Sequence, residues 1–408
     1  MESLGYKLFN NKCFGNKNCS KQVKFLVFRV LFFAQYFIQV FIQDLFFTAL
    51  FFISLLFTES LFCNGASNGM CYDKSPEQQW TWSYKKIFSD LECSKNSNLS
   101  EIAFFKENVK NFSQLIFSWN SRRPKMGGFS FYVKTRNART KKWSGWHKMF
   151  DWGRGFQKSY CSTNESSQYA HVRLEAGLRS LADAFKIIIK SYGGADLGLI
   201  KSVCACTSDF NKFKYEAINN KLLNLKSVYI KNVPKISQRL VNHPKSAFIC
   251  SPTSCSMIAS YFNKYPVNVV NFVENVFDPG LGDGGSYGSW PFNVVELYRK
   301  CNGKELFYVQ RMNGFIDLYE KLCSGCPVVV SVRGKMDGGQ KEYNNGHLIV
   351  VVGWDSDTRK VICHDPAFYT DKSTFVKYNL ETFLRGWEGS NRLAYVANFK
   401  NNLTSRKA

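Results

Sequence analysis

Three apolar runs in the second half of the chain, Pro327–Val332, His347–Trp354 and Lys360–His364, have the length and Val/Ile density of buried strands. The stretch before them is helical in pattern. Met257, Ile258, Tyr261 and Phe262 fall on one face within Cys255–Phe262, and Val269–Phe277 and Pro291–Arg299 are two further helices. A Gly-rich loop, DPGLGDGGSYGSW, separates those two. Helices followed by consecutive strands predict an α+β domain built on a central antiparallel sheet, over residues 231–400.

Residues 80–226 read differently. Short strands are expected at Gln114–Trp119, Gly128–Arg136, His171–Leu174, Ala184–Lys190 and Leu199–Thr207, and FSFYVKTR alternates apolar and polar residues as a sheet with one buried face requires. Strands at this spacing predict a β-sandwich acting as a binding or positioning module. Trp119, Trp143, Trp146, Trp152 and Tyr160, with Asn120 and Arg136 nearby, either fill its core or form a surface for a glycan or cell-surface ligand.

Positions 1–66 form a leader. Lys21 and Lys24 precede apolar residues from Phe25, and the core LFFTALFFISLLF at Leu45–Phe57 is short for a membrane span and suits a signal-peptide core. Gly65, Ala66 and Ser67 supply a cleavage site, and a polar linker follows over 67–79. The expected location is therefore exported, with membrane contact only through an uncleaved leader. Lys and Arg outnumber Asp and Glu by 54 to 31, but they are scattered rather than clustered with aromatics. This is a solvated basic surface, and nucleic acid is not the expected partner. Cys323 and Cys326 form a CxxC that lacks a second ligand pair, so structural thiols or a disulfide are expected there, with no metal and no cofactor.

The chemistry concentrates after Val233. Cys250 is followed by Ser251 and Pro252, residues that start helices, so its thiol belongs at a helix N-terminus where the dipole favours thiolate. His347 opens the strand HLIVVVGW at the lip of the sheet, placed to accept and return a proton. Asp365 stands at the end of the next strand, where a hairpin brings it beside His347. His364 is a rival base, but adjacent strand residues face opposite ways, so His364 and Asp365 cannot share one cleft. Gln238, upstream of Cys250, is a candidate oxyanion donor alongside the Cys250 backbone N–H.

The succession VPKISQ, CSPTS with an apolar helix, SYGSWPFN, GCPVVVSV, GHLIVVVGWD and HDPA resembles the papain-like peptidase C-39-like family. Its best-known relatives are bacteriocin-processing double-glycine peptidases. The resemblance covers roughly Lys231 to Ala394. It implies Cys250 as nucleophile, His347 as general base, Asp365 as its orienting partner and Gln238 in the oxyanion hole. It also implies that Tyr287, Trp290 and Asn293 border the substrate cleft. The sequence departs from the family in having Ser251 where glycine usually follows the nucleophile. Transporter segments that accompany bacteriocin maturation are absent, so a double-glycine leader substrate is not implied.

Three functions fit these residues. The first is an exported cysteine peptidase, or an amidase, acting on a peptide or protein through a Cys-His-Asp triad. The second is a catalytically silent exported protein that uses the same folds to engage a glycan, a peptide or a host surface. The third is acyl transfer to an amine, since transglutaminase-like enzymes share the order Cys, His, Asp.

Overall fold

The computed structural model describes residues 79–88, 100–176 and 180–398. The leader, the linker and their cysteines lie outside the described residues, apart from Gln79 at the linker's end. Among the described residues no helix is long and apolar enough to cross a membrane.

The N-terminal part is two antiparallel sheets. One has the order β1 (Thr81–Ile87), β11 (Ile200–Ser208), β3 (Gln114–Ser121), β9 (Arg173–Glu175), β8 (Gln168–Ala170), β7 (Ser162–Thr163). The other runs β2 (Glu101–Lys106), β10 (Ala182–Tyr192), β4 (Gly128–Asn137), β5 (His147–Gly153), β6 (Phe156–Ser159). Alternation decides what lies between them. In β4, Phe129, Phe131 and Val133 are buried while Tyr132 and Lys134 lie half-buried on the other face. Trp119 of β3 stacks on Phe131 at 4.1 Å, and Phe117 meets Phe150 of β5 edge-on at 5.5 Å, so the two sheets pack face to face. All five strands expected here are present within two residues at each end, and β1, β2, β5, β6, β7 and β8 add to them.

The C-terminal part is α+β. After the single turn α1 (Asn220–Leu223) and β12 (Val228–Tyr229), the helices are α2 (Cys250–Asn263), α3 (Val269–Glu274), α4 (Trp290–Lys300), α5 (Phe315–Cys323) and α6 (Leu380–Glu388). The sheet order is β13 (Leu306–Arg311), β18 (Leu393–Asn398), β14 (Val328–Gly334), β15 (Tyr343–Asp355), β16 (Lys360–His364), β17 (Phe375–Asn379), with β12 pairing to β15. Helix α3 stops at Glu274, short of the expected Phe277, because Asn275 ends it by bonding its amide to the Asn271 carbonyl. Strand β15 begins ahead of His347, at Tyr343.

The described residues belong to one compact unit. The two parts share a continuous core in which Phe292 of α4 packs edge-on against Trp119 (6.1 Å) and Phe150 (5.7 Å). Polar groups join them too: the Asn120 amide exchanges two 2.9 Å hydrogen bonds with the backbone of Phe307 in β13, and Ser118 Oγ accepts from Val309 N at 3.0 Å. Of the two readings open for these aromatics, the contacts favour the core for Trp119 and Trp152. Trp119, Trp152 and Asn120 are fully buried, and of the five rings only Trp146 is exposed. Trp143, Trp146 and Tyr160 carry lysine ammonium groups over their faces, Lys134 over both tryptophans and Lys148 over Tyr160.

Candidate active site

Helix α2 begins at Cys250 itself, so the thiol sits on the turn whose amide N–H groups have no intrahelical acceptors. The helix packs on β15 although it carries buried hydroxyls, and three of them have a carbonyl acceptor: Ser254 bonds that of Leu348 (3.0 Å), Ser256 that of Pro252 and Ser260 that of Ser256. Cys250 is half-buried, while Cys255, one turn on, is fully buried.

Strand β15 delivers His347, paired in register with Val332 of β14, and Asp365 follows β16 directly. The imidazole Nε2 lies 2.7 Å from Asp365 Oδ1, which leaves Nδ1 for the Cys250 thiol. Asp365 is fully buried yet well partnered: Ala367 N donates to Oδ1 at 2.9 Å, and the hydroxyls of Tyr343 and Tyr378 donate to Oδ2 at 2.9 and 2.7 Å. Burial alone raises a carboxyl pKa, but here His347 and these donors outweigh it and hold Asp365 below its ordinary value.

Electrostatics follow from that geometry. Burial opposes a charge on His347, but the Asp365 carboxylate and the Cys250 thiolate outweigh it and raise the imidazole to about 10. Burial also pushes the Cys250 thiol up, and the His347 charge, its hydrogen bond and the Leu348 backbone hold it below the ordinary thiol value. The pair therefore favours thiolate and imidazolium. Cys255 has no such partner, and burial pushes it well above an ordinary thiol.

Gln238 is buried in a short 3-10 turn, Gln238–Leu240, with its backbone N–H on the Pro366 carbonyl at 2.9 Å. Its amide Nε2 donates at 2.9 Å to the carbonyl of Ser246, in the turn that leads into Cys250, and keeps one N–H in reserve. His364 lies on the other side of the strand from Asp365. Its Nδ1 bonds the Pro234 carbonyl at 3.0 Å, and burial lowers its pKa to about 4, so it is a neutral structural histidine. Ser251 is buried with its hydroxyl 3.1 Å from the Tyr395 hydroxyl, directed into the fold.

The loop residues separate into two kinds. Tyr287 and Trp290 are half-buried. Asn293 is fully buried inside α4, its Nδ2 donating to the carbonyls of Tyr287 and Ser289 at 2.8 and 2.9 Å, so it holds the loop and does not line a cleft. Sequence reasoning missed Tyr343 and Tyr378, although the period of two along β15 puts Tyr343 on the face of His347. It also missed Leu240, Phe248 and Tyr369, exposed apolar residues on the segments that carry Gln238, Cys250 and Asp365.

Every described cysteine is a free thiol, so Cys323 and Cys326 are not bridged. Among the described residues no group of three or more His, Cys, Asp or Glu is arranged to hold a metal ion.

Residues 230–395 match the model of the Peptidase_C39 like family. No curated protein matches. Two solved structures are similar. One is the crystal structure of a C39-like peptidase from Bacillus anthracis, 18% identical, covering 43% of this chain and 99% of that one with a TM-score of 0.34. The other is Xylellain, a cysteine protease from Xylella fastidiosa, 11% identical, covering 45% of this chain and 90% of that one with a TM-score of 0.27.

Proposed function

We propose that the chain is an exported cysteine peptidase that hydrolyses peptide-like bonds in a peptide or protein. The observation that carries this reading is the His347 imidazole held between the Asp365 carboxylate, at 2.7 Å, and the Cys250 thiol at a helix N-terminus. In the proposed mechanism Cys250 Sγ attacks the scissile carbonyl carbon. The oxyanion that forms meets the Cys250 backbone N–H and the free N–H of Gln238. Its collapse expels the amine, which takes the proton from His347, and leaves an acyl-enzyme. Water then attacks with His347 as base, releasing the acid and the thiol. Asp365 keeps the imidazole in the tautomer and orientation that both steps need. Leu240, Phe248 and Tyr369 offer an apolar rim to substrate side chains.

The test is alkylation of the chain from about Ser67 with an iodoacetamide probe as pH is varied, using wild type, Cys250→Ala, Cys255→Ala and His347→Ala. Fast labelling at Cys250 below the ordinary thiol pKa, lost in His347→Ala, supports the peptidase. Labelling no faster than a free thiol and indifferent to His347 would move the assignment to the catalytically silent binding protein.

A further inference from the structure

The Gly-rich loop between α3 and α4 does not stand free; it is fastened to β6, a strand of the other half of the chain. Gln157 Nε2 donates to the carbonyls of Asn275 (3.0 Å) and Phe277 (2.8 Å), and its Oε1 accepts from Arg123, which itself reaches the Asn275 carbonyl. Next along the loop, Asp278 is fully buried, and its Oδ1 accepts both Ser159 N of β6 (2.9 Å) and Gly280 N (3.0 Å). Gly280 passes so close to β6 that a Cβ there would lie 1.8 Å from the Ser159 carbonyl oxygen. The loop then closes on itself through paired backbone bonds between Asp278 and Ser286.

The far end of the loop reaches the catalytic side. The Tyr287 ring meets the His243 ring edge-on at 5.3 Å. His243 is buried and fixed on three sides: its carbonyl accepts Ser246 N, its Nδ1 accepts Lys245 N, and its Nε2 lies 3.3 Å from Glu274. Ser246 is the residue whose carbonyl holds Gln238, and its turn runs straight into Cys250. A continuous path of contacts therefore leads from Gln157 and Ser159 through Asp278, Tyr287 and His243 to the turn that holds Gln238 and leads into Cys250.

We propose that strand β6 is a positioning element for the oxyanion corner, holding through the Asp278–Tyr287 loop the turn that aims Gln238 and the Cys250 N–H. The proposal rests on the peptidase reading. It gives the β unit a role in the chemistry of the neighbouring site.

Two small probes separate the oxyanion corner from the thiolate. Iodoacetamide is displaced at carbon, and no oxyanion forms. p-Nitrophenyl acetate is attacked at its carbonyl: the S–C bond forms, the oxygen carries the charge, and collapse expels p-nitrophenolate to leave acetyl-Cys250, which water hydrolyses to acetate. Both rates, with the melting temperature, would be measured for wild type, Gly280→Ala and Gln157→Ala. The expected result is acylation slowed by about tenfold or more, since small displacements of oxyanion donors cost that much. Iodoacetamide labelling stays within about twofold of wild type, because the thiolate pair is untouched. Unchanged acylation in both variants overturns the proposal. So does a parallel fall of both rates with the melting temperature, which marks a purely structural joint. A wild-type thiol that is not activated at all removes the peptidase reading instead, and is seen in the iodoacetamide rate alone.

Discussion

Tyr343 lies flat on His347, with ring centroids 4.1 Å apart and planes 17° from parallel, while its hydroxyl donates to Asp365 at 2.9 Å. One side chain thus braces the imidazole from its face and the carboxylate from its edge. Such a stack favours the protonated ring. Tyr343→Ala should slow Cys250 alkylation by about tenfold or more, because the ring loses its orientation. Tyr343→Phe keeps the stack and leaves Asp365 its bonds to Tyr378, Ala367 and His347, so its loss should be much smaller. Alkylation rates for the pair, measured side by side, check the order; a reversed order would assign the effect to the hydroxyl.

Thiolate and imidazolium coexist above the depressed thiol pKa and below about 10. Acetylation by p-nitrophenyl acetate should therefore begin below the ordinary thiol range and fall as pH rises through about 10, the two limbs belonging to the coupled pair. Asp365→Asn removes the largest influence holding the proton on His347. Burial then acts unopposed by the carboxylate, and the alkaline limb should move to lower pH. A pH–rate profile of both proteins settles the direction of the shift.

His364 takes up its proton near 6.5 when the chain is unfolded but only near 4 in the fold. Between those values the unfolded chain binds more protons, so native stability contributed by this group is full above 6.5 and declines as pH falls through about 4. His364→Gln should flatten that decline in melting temperature and leave Cys250 labelling unchanged. A loss of labelling would restore His364 as a base.

Ser251 stands where the family usually has glycine, and its hydroxyl is held by Tyr395 inside the fold. Ser251→Gly should leave alkylation and acetylation rates close to wild type. It should cost about 1–2 kcal/mol of stability, from the lost hydrogen bond and the added helix flexibility. Denaturant unfolding and the two rate assays measure these separately.

Trp119→Ala should destabilise the protein by about 3–5 kcal/mol, the range for deleting a buried aromatic. Because Phe292 of α4 rests on that ring, the loss should appear in one unfolding transition shared by both halves of the chain. Two resolved transitions would contradict a common core.

Cys250, His347 and Asp365 could be placed from the sequence because each is tied to a local feature, a helix start, a buried strand and a strand end; Gln238 has no such signature. The five β-unit strands were legible through period-two alternation, as in FSFYVKTR. Tyr343 and Tyr378 were not, because their meeting at Asp365 depends on the register of β15, β16 and β17. Irregularities at Val332/Gly334 and Val351/Gly353 set part of that register, and no local pattern announces them. The burial of Asn120 was hidden for a related reason. Its partner, Phe307, lies in the other half of the chain, far beyond the reach of any local pattern.

The Asn120 clamp on Phe307 and the Phe292 plug have a genetic consequence. A crossover near residue 230 that joined this catalytic half to a different upstream neighbour would expose Phe292 to solvent. It would also leave the Phe307 amide without its acceptor. The halves can change partners only if both sides of that seam change together, so each constrains which substitutions the other tolerates.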